Sequence, residues 1–184
     1  MRWQDGAAGY GLVTIGLHWL TLALLVALYA LGWMFPEMPR GPERDALAGL
    51  HFSLGLALLI VAVARIAWRW LQPMPEAAAT YSGFERRTAR LVHSTLRALL
   101  VLMPILGIVT IAAVGRSPSL FGLELPVVGF VPQSRDLHEV AEVAHALIGN
   151  FVLLPLIALH VAGALKHQLL DHVPAMRRML VPQG

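Results

Sequence analysis

The sequence of 184 residues contains no cysteine. This absence excludes disulfide bonds, iron–sulfur clusters, zinc sites built on thiolates and covalent haem attachment through a CxxCH motif. Any haem is therefore held without a covalent link to the chain, by histidine or methionine. Charge is also scarce. Only 14% of the residues are charged, against about 25% in an ordinary soluble domain, which places the chain among membrane proteins.

Two further classes are disfavoured by what is missing. The basic residues are spread around apolar segments instead of forming a patch, so a sequence pI near 10.0 does not indicate nucleic-acid binding. The cores of the apolar segments contain no carboxylate, which a transporter driven by protons or metal ions is expected to carry. We therefore expect no nucleic-acid partner and treat a transporter as the weakest alternative.

Four apolar segments are each long enough to cross a bilayer, which takes about 20 residues as a helix. We predict spans at about 17–35, 50–71, 91–114 and 144–165. They should be helical, because membrane lipid offers no partner to an unpaired backbone group. The predicted fold class is all-α: an integral membrane four-helix bundle that forms a single domain over residues 1–184.

Positive charge is divided unequally between the two sides of this bundle. The side with both termini and the connection between the second and third spans carries ten of the 14 Lys and Arg residues. The opposite side carries seven of the 11 acidic residues. Since basic residues favour the cytoplasmic side, we predict that the N- and C-termini are both cytoplasmic.

Four of the eight histidines lie near the ends of the spans: His18, His51, His145 and His160. An imidazole in a bilayer is costly unless it is paired or ligated, so each is a candidate ligand of haem iron. Span direction places His51 and His145 near the outer side and His18 near the inner side. His160 follows His145 by 15 residues, which is about 22 Å along a helix and about 60° around it. We therefore predict an outer pair, His51/His145, and an inner pair, His18/His160.

Two more histidines and a set of arginines border the inner pair. His93 begins the third span, and His167 follows His160 by seven residues. We interpret both as candidates for a quinone contact or a proton relay, with the alternative that one of them replaces an inner ligand. Arg65 and Arg69 are candidate partners for haem propionates. The competing explanation for these arginines is membrane topology alone.

Short motifs follow one another along nearly the whole chain: LHW at 17–19, LHFSLG at 50–55, ARIAWRWLQPMP at 64–75, LVH at 91–93, PILG at 104–107, EVAHALIG at 142–149, ALHVAGALKHQLLD at 158–171 and MRRML at 176–180. In this order and spacing they resemble the bacterial cytochromes b561 of the four-helix dihaem type. The chain differs from that family at Gln168, where a second histidine often follows the KH pair.

The resemblance implies a multi-pass protein of the bacterial inner membrane that binds two haem b groups. It carries over His18, His51, His145 and His160 as axial ligands and places His167 near a quinone. Within the family the chain resembles the superoxide oxidases. We therefore expect a quinone-linked oxidoreductase that takes electrons from an outer donor, with superoxide as a candidate, and passes them to ubiquinone. The alternative is an electron-carrying subunit whose acidic outer side docks a periplasmic dehydrogenase or a soluble cytochrome.

Overall fold

The computed structural model describes residues 3–7, 9–73 and 81–182. Within these residues, four long helical segments are apolar enough to cross a membrane: Leu12–Glu37, Pro42–Leu71, Gly83–Ala112 and Arg135–Leu169. Their lengths exceed the roughly 20 residues that a bilayer requires. The predicted all-α membrane four-helix bundle is confirmed.

The first three spans begin before the apolar segments that predict them. These helices are α1 (Leu12–Met34, followed by a 3₁₀ turn at Phe35–Glu37), α2 (Pro42–Leu71) and α3 (Gly83–Ala112). Pro42 begins α2 at a position where its missing N–H costs nothing. Ser82 and Glu85 cap the start of α3 reciprocally, each side chain bonding the other residue's backbone N–H. Polar first turns therefore lengthen α2 and α3.

The third helix ends earlier than predicted. The apolar segment suggests a span to about residue 114, but α3 stops at Ala112. The chain then turns at Gly115, whose φ of 75° lies in the left-handed region that glycine adopts without a steric cost. Hydropathy alone does not show this end, because the residues that form the turn are themselves apolar.

The fourth span contains an irregularity next to Pro155, a proline within the span whose ring predicts a kink of the helix. α4 (Arg135–Ile148) passes through a π-helical turn (Gly149–Leu153) into α5 (Leu154–Leu169). Pro155 lies in the first turn of α5. In an unbroken α-helix its ring would clash with the carbonyl four residues before it, and a wider turn relieves that clash.

The helices pack in sequence order. α1 lies on α2, α2 on α3 and α3 on the fourth span, whereas the first and fourth spans share few backbone contacts. We call the line between the first and fourth spans the seam. Two clusters of buried side chains have been found in the described interior, formed by Leu28, Leu58, Ala62 and Leu100 and by Leu99, Met103 and Leu153. Many large apolar side chains face outward, as lipid-facing side chains do.

The outer end of the bundle is the end that holds the loop between α3 and α4. This loop contains a hairpin of two short strands, β1 (Ser119–Leu120) and β2 (Leu123–Glu124). The Ser53 hydroxyl of α2 donates to the Ser119 carbonyl (3.1 Å) and accepts from the Phe121 N–H (3.0 Å). The hairpin is therefore fixed to a membrane span, two residues after His51.

The inner end is the end that holds both chain ends. Asp5 is buried there and accepts hydrogen bonds from the Gly11 N–H (2.8 Å) and the Thr14 hydroxyl (2.9 Å). After α5 the C-terminal segment returns toward α1, and the Trp19 indole N–H donates to the Met179 carbonyl (2.7 Å). Short 3₁₀ turns outside the spans lie at Val128–Phe130 and Arg177–Met179.

Candidate functional site

The predicted outer pair is brought together at the outer end. The rings of His51 on α2 and His145 on α4 have centroids 6.2 Å apart. Nδ1 of His145 lies 3.0 Å from the carbonyl oxygen of Met103. An N–H at Nδ1 donates to this carbonyl, which leaves Nε2 with the free lone pair that a metal needs. Nδ1 of His51 is buried and has no hydrogen-bond partner among the residues that the structure describes.

Glycines on other helices make room for the outer pair. A Cβ on Gly32 would lie 3.2 Å from Cε1 of His51, closer than an ordinary contact. A Cβ on Gly107 would lie 3.7 Å from Cε1 of His145. The sequence analysis missed both residues, because spacing along one helix does not reveal a glycine that contacts a histidine on another.

Three imidazoles meet at the inner end. His18 on α1 and His160 on α5 have centroids 6.2 Å apart, so the predicted inner pair is also brought together. His93 on α3 joins them, with its centroid 5.0 Å from that of His160. The inner site thus contains one imidazole more than a single iron with two axial histidines requires.

The spacing of the rings tests whether these residues fit haem. With metal–imidazole bonds of about 2 Å and a ring nitrogen about 1 Å from its centroid, two imidazoles on opposite sides of one iron have centroids about 6 Å apart. Both predicted pairs fit at 6.2 Å. The 5.0 Å between His93 and His160 is short for this arrangement. The donor set therefore fits two bis-histidine haem sites, and the spacing favours His18 over His93.

Open space lies beside both pairs. Gly55 follows His51 by one helical turn, and a Cβ there would meet nothing within 4 Å. The same holds for Gly163, three residues after His160. A flat macrocycle next to each imidazole needs such space, so this observation agrees with the ring spacing.

Arg65 contacts the inner pair directly. Its Nη2 lies 3.4 Å from Nδ1 of His18, and its Nη1 donates to the Thr21 hydroxyl at 3.0 Å. Arg69, one turn further along α2, donates instead to the Gln72 carbonyl at 2.9 Å. Of the two arginines predicted to bind propionates, Arg65 is therefore the one in contact with a candidate ligand.

Arg97 of α3 is a site residue that the sequence analysis counted only toward topology. It lines one cleft together with Arg65 and Arg69. Three guanidinium groups in one cleft suit carboxylates, such as those of haem propionates. The signal that could have found Arg97 is its position four residues after His93, which places both side chains on the same helix face.

His167 lies apart from the three inner imidazoles, in a partly exposed polar network. Its Nδ1 lies 2.6 Å from a carboxylate oxygen of Asp171, and its ring centroid is 4.3 Å from that of Tyr81. Lys166 donates to Asp171 at 2.8 Å and also to Glu85. These hydrogen bonds from Lys166 and His167 hold the pKa of Asp171 below its usual range. A connected set of titratable groups thus lies at the inner surface.

The chain is similar to known proteins over almost its full length. The family model of prokaryotic cytochrome b561 matches residues 9–182. Cytochrome b561 homolog 2 of Escherichia coli (strain K12) is 30% identical over 182 residues, which cover 98% of this chain and 95% of that protein. A Yersinia pestis protein named "Probable superoxide oxidase CybB" is 28% identical over 172 residues, with coverage of 93% and 95%. The chain therefore belongs to the prokaryotic cytochrome b561 family, whose members are multi-pass bacterial membrane proteins that bind haem b and transfer electrons.

Proposed function

We propose that this chain holds two haem b groups and carries electrons from its outer end to a quinone at its inner end. The observation that supports this most directly is that one membrane span supplies a histidine to each pair, His145 and His160. In this proposal His51 and His145 hold the outer haem, and His18 and His160 hold the inner one. Two such sites on one span form a route across the bilayer.

The chain's own residues hold and orient these groups. Bound haem supplies one-electron redox chemistry. The Met103 carbonyl fixes the ring of His145 in one orientation. At the inner end, Arg65, Arg69 and Arg97 line one cleft and would offer positive charge to the propionates of an inner haem.

The acceptor is ubiquinone in this proposal, and it binds at the inner end. Forming a quinol takes up protons as well as electrons, so the acceptor site needs groups that exchange protons. His93 and His167 are the candidate contacts, and Asp171 orients His167 through the 2.6 Å hydrogen bond. The partly exposed Lys166 and Glu85 connect this pair to the surface.

The same proposal includes an orientation in the inner membrane. The excess of basic residues at the inner end supports cytoplasmic N- and C-termini. The whole chain, residues 1–184, would then act as one domain, with its outer loop in the periplasm. Quinone reduction would take place on the cytoplasmic side and would consume protons from there.

The donor at the outer end has two candidates. Similarity to a protein named as a superoxide oxidase supports superoxide, which would make the chain a superoxide:ubiquinone oxidoreductase. The second candidate function is an electron-carrying subunit that docks a periplasmic dehydrogenase or a soluble cytochrome. It is favoured by the exposure of all seven acidic residues of the outer end, because negative charge attracts a basic protein and repels an anion. These residues are Glu37, Glu43, Asp45, Glu124, Asp136, Glu139 and Glu142.

One assay tests the proposal and separates the two donors. Purified protein is mixed with a superoxide generator and a short-chain ubiquinone, and quinol formation is followed. The expected result for the oxidase is quinol formation well above that of a haem-free preparation. A rate equal to that control rules out superoxide. A basic soluble cytochrome is then offered as the donor, and haem reduction that slows steeply with added salt supports the carrier.

A further inference from the structure

Two hydrogen bonds donated by side chains of α1 bridge the seam at a level between the two histidine pairs. The Tyr29 hydroxyl of α1 donates to the Gly149 carbonyl at 2.7 Å. One turn further along α1, the Trp33 indole N–H donates to the Asn150 side chain at 2.9 Å. The rings of Tyr29 and Trp33 contact each other, with centroids 5.4 Å apart. Because the first and fourth spans share few backbone contacts, these bonds tie the two spans together at this level.

The acceptor of the Tyr29 bond opens the π-helical turn. The Gly149 carbonyl also accepts from the N–H of Leu154, five residues later, so it receives two donors. The Asn150 side chain in turn donates to the Ala146 carbonyl at 2.9 Å. Inside a bilayer no water is at hand to satisfy a displaced carbonyl, so donors from side chains stabilise an irregular turn.

The turn changes the direction of His160 relative to His145. In an unbroken α-helix, 15 residues set two side chains about 60° apart. A π turn holds one extra residue in nearly the same length, so the 15 residues act as about 14. The angle becomes about 40° in the opposite sense, a change of roughly 100°. With the turn present, each of the two imidazoles lies 6.2 Å from its partner.

We propose that this π turn, stabilised by Tyr29, directs His145 and His160 toward their partners, and that Tyr29 is a positioning residue for both haem sites. The inference rests on the proposed function, since it requires two bis-histidine sites. A second contact connects the turn to the outer site. Gly149 is buried, with the Met103 side chain 3.2 Å from where its Cβ would lie, and the Met103 carbonyl holds His145.

Changing the length of the turn tests the helical register. Deleting Phe151, an exposed residue of the turn, together with Pro155→Ala, which removes the ring that would clash in an unbroken α-helix, leaves a 14-residue spacing that an ordinary α-helix places at about the same angle. We expect this variant to keep two haems per chain with unchanged absorption bands. Inserting one alanine after Phe151 rotates His160 by about 100°, and we expect it to bind one haem. If the insertion variant keeps both haems, the register argument is overturned. It is also overturned if the deletion variant loses one haem while its helix content, measured by circular dichroism, stays native.

Tyr29→Phe tests the hydrogen bond alone, because the ring stays and only the hydroxyl is lost. We expect haem transfer to excess apomyoglobin in detergent to be about fivefold faster, the size of effect of one lost hydrogen bond. The low-spin electron paramagnetic resonance signal should also shift, because the imidazole orientation changes. Thr110→Val is the matched control, since the Thr110 hydroxyl donates to the Leu106 carbonyl (2.9 Å) within α3 and not across the seam. An unchanged signal and transfer rate in Tyr29→Phe, or equal changes in the control, overturn the role of Tyr29.

Haem stoichiometry of the unmodified chain separates this inference from the proposed function. One haem per chain, or none, in the unmodified protein contradicts the two-site function itself. Two haems in the unmodified protein, with the insertion and Tyr29→Phe variants both indistinguishable from it, contradict only the role of the π turn. The pyridine haemochrome assay provides this count without any measurement of activity.

Discussion

The outer and inner histidine pairs share one ring separation, 6.2 Å, but their surroundings differ. Glycines on α1 and α3 contact the outer pair, and a backbone carbonyl orients His145. The inner pair lies next to a third imidazole, and three guanidinium groups line the cleft beside it. The imidazoles of the outer pair are therefore closely fitted by glycines of neighbouring helices, whereas those of the inner pair lie among cationic and titratable side chains.

This difference indicates two tasks. In the proposed function, holding an iron requires two imidazoles in a fixed orientation, which the surroundings of the outer pair suit. Passing electrons to an acceptor that also takes up protons requires further groups within reach, and the inner end supplies them. In the proposed function the spare histidine, His93, is therefore a candidate contact of the acceptor, and the arginines are candidate partners of the propionates.

The largest expected effect comes from removing an outer ligand. His145→Ala should reduce the haem content from two per chain to one, because the remaining imidazole of His51 has no partner across the iron. The pyridine haemochrome assay measures this loss. His138→Ala is the matched control on the same helix, since the His138 ring contacts the Thr110 carbonyl and is not one of the predicted ligands. Loss of both haems from a bundle that still has native helix content would contradict separate outer and inner pairs.

The inner trio allows a sharper comparison. His18→Ala should lose the inner haem, whereas His93→Ala should keep it, because only His18 has the ring separation from His160 that one iron requires. Reduced-minus-oxidised spectra and haem counts distinguish the two variants. The reverse result, with haem kept in His18→Ala and lost in His93→Ala, would make His93 the ligand.

A charge substitution should affect only the inner end. Arg65→Gln removes a positive charge close to His18 and should lower the midpoint potential of the inner haem, because positive charge favours the reduced iron. For this one-electron couple, a shift of roughly 60 mV corresponds to a tenfold change in the redox equilibrium. Redox titration followed optically measures it. Arg69→Gln, whose side chain bonds the Gln72 carbonyl, is the control with the smaller expected shift.

The smallest expected effect concerns the inner surface. The pKa of Asp171 is held below its usual value of 3.8 by hydrogen bonds from Lys166 and His167. A carboxylate with a lowered folded-state pKa stabilises the fold above its unfolded pKa, and this contribution is lost as the pH falls through the folded value. The difference in melting temperature between the unmodified chain and Asp171→Asn should therefore stay constant from pH 8 to about 5 and shrink below about pH 4. A difference that already shrinks between pH 7 and 6 would indicate that another group titrates.

The four spans and the pairing of histidines could be predicted because both depend only on position along the chain and depth in the membrane. Hydropathy locates a span, and counting residues along it gives the depth of an imidazole. The predicted helix ends are less accurate than the predicted spans, because the polar first turns of α2 and α3 carry no hydropathy signal. The assignment of the four histidines as ligands stays a prediction.

Contacts between helices could not be predicted in the same way. Gly32 and Gly107 contact histidines on other spans, and Arg97 lines a cleft with arginines of α2. Pro155 signals a disturbance of the fourth span, but nothing in one sequence says that the disturbance is a π turn. This π turn changes the angle between His145 and His160 around the helix axis. The glycine and arginine contacts depend on the rotation of one helix against another, and the π turn is a change of rotation within one span. Hydropathy reports neither.

The seam has a consequence for the order of assembly. His18 enters the membrane with the first span, while its partner His160 is synthesised 142 residues later. At about 5–20 residues per second, the interval is roughly 7–28 s. The contact between Trp19 and Met179 joins residues 160 positions apart, so it forms only after residue 179 has been synthesised. The first and fourth spans therefore meet last, and until the fourth span is made the inner pair lacks one of its two histidines.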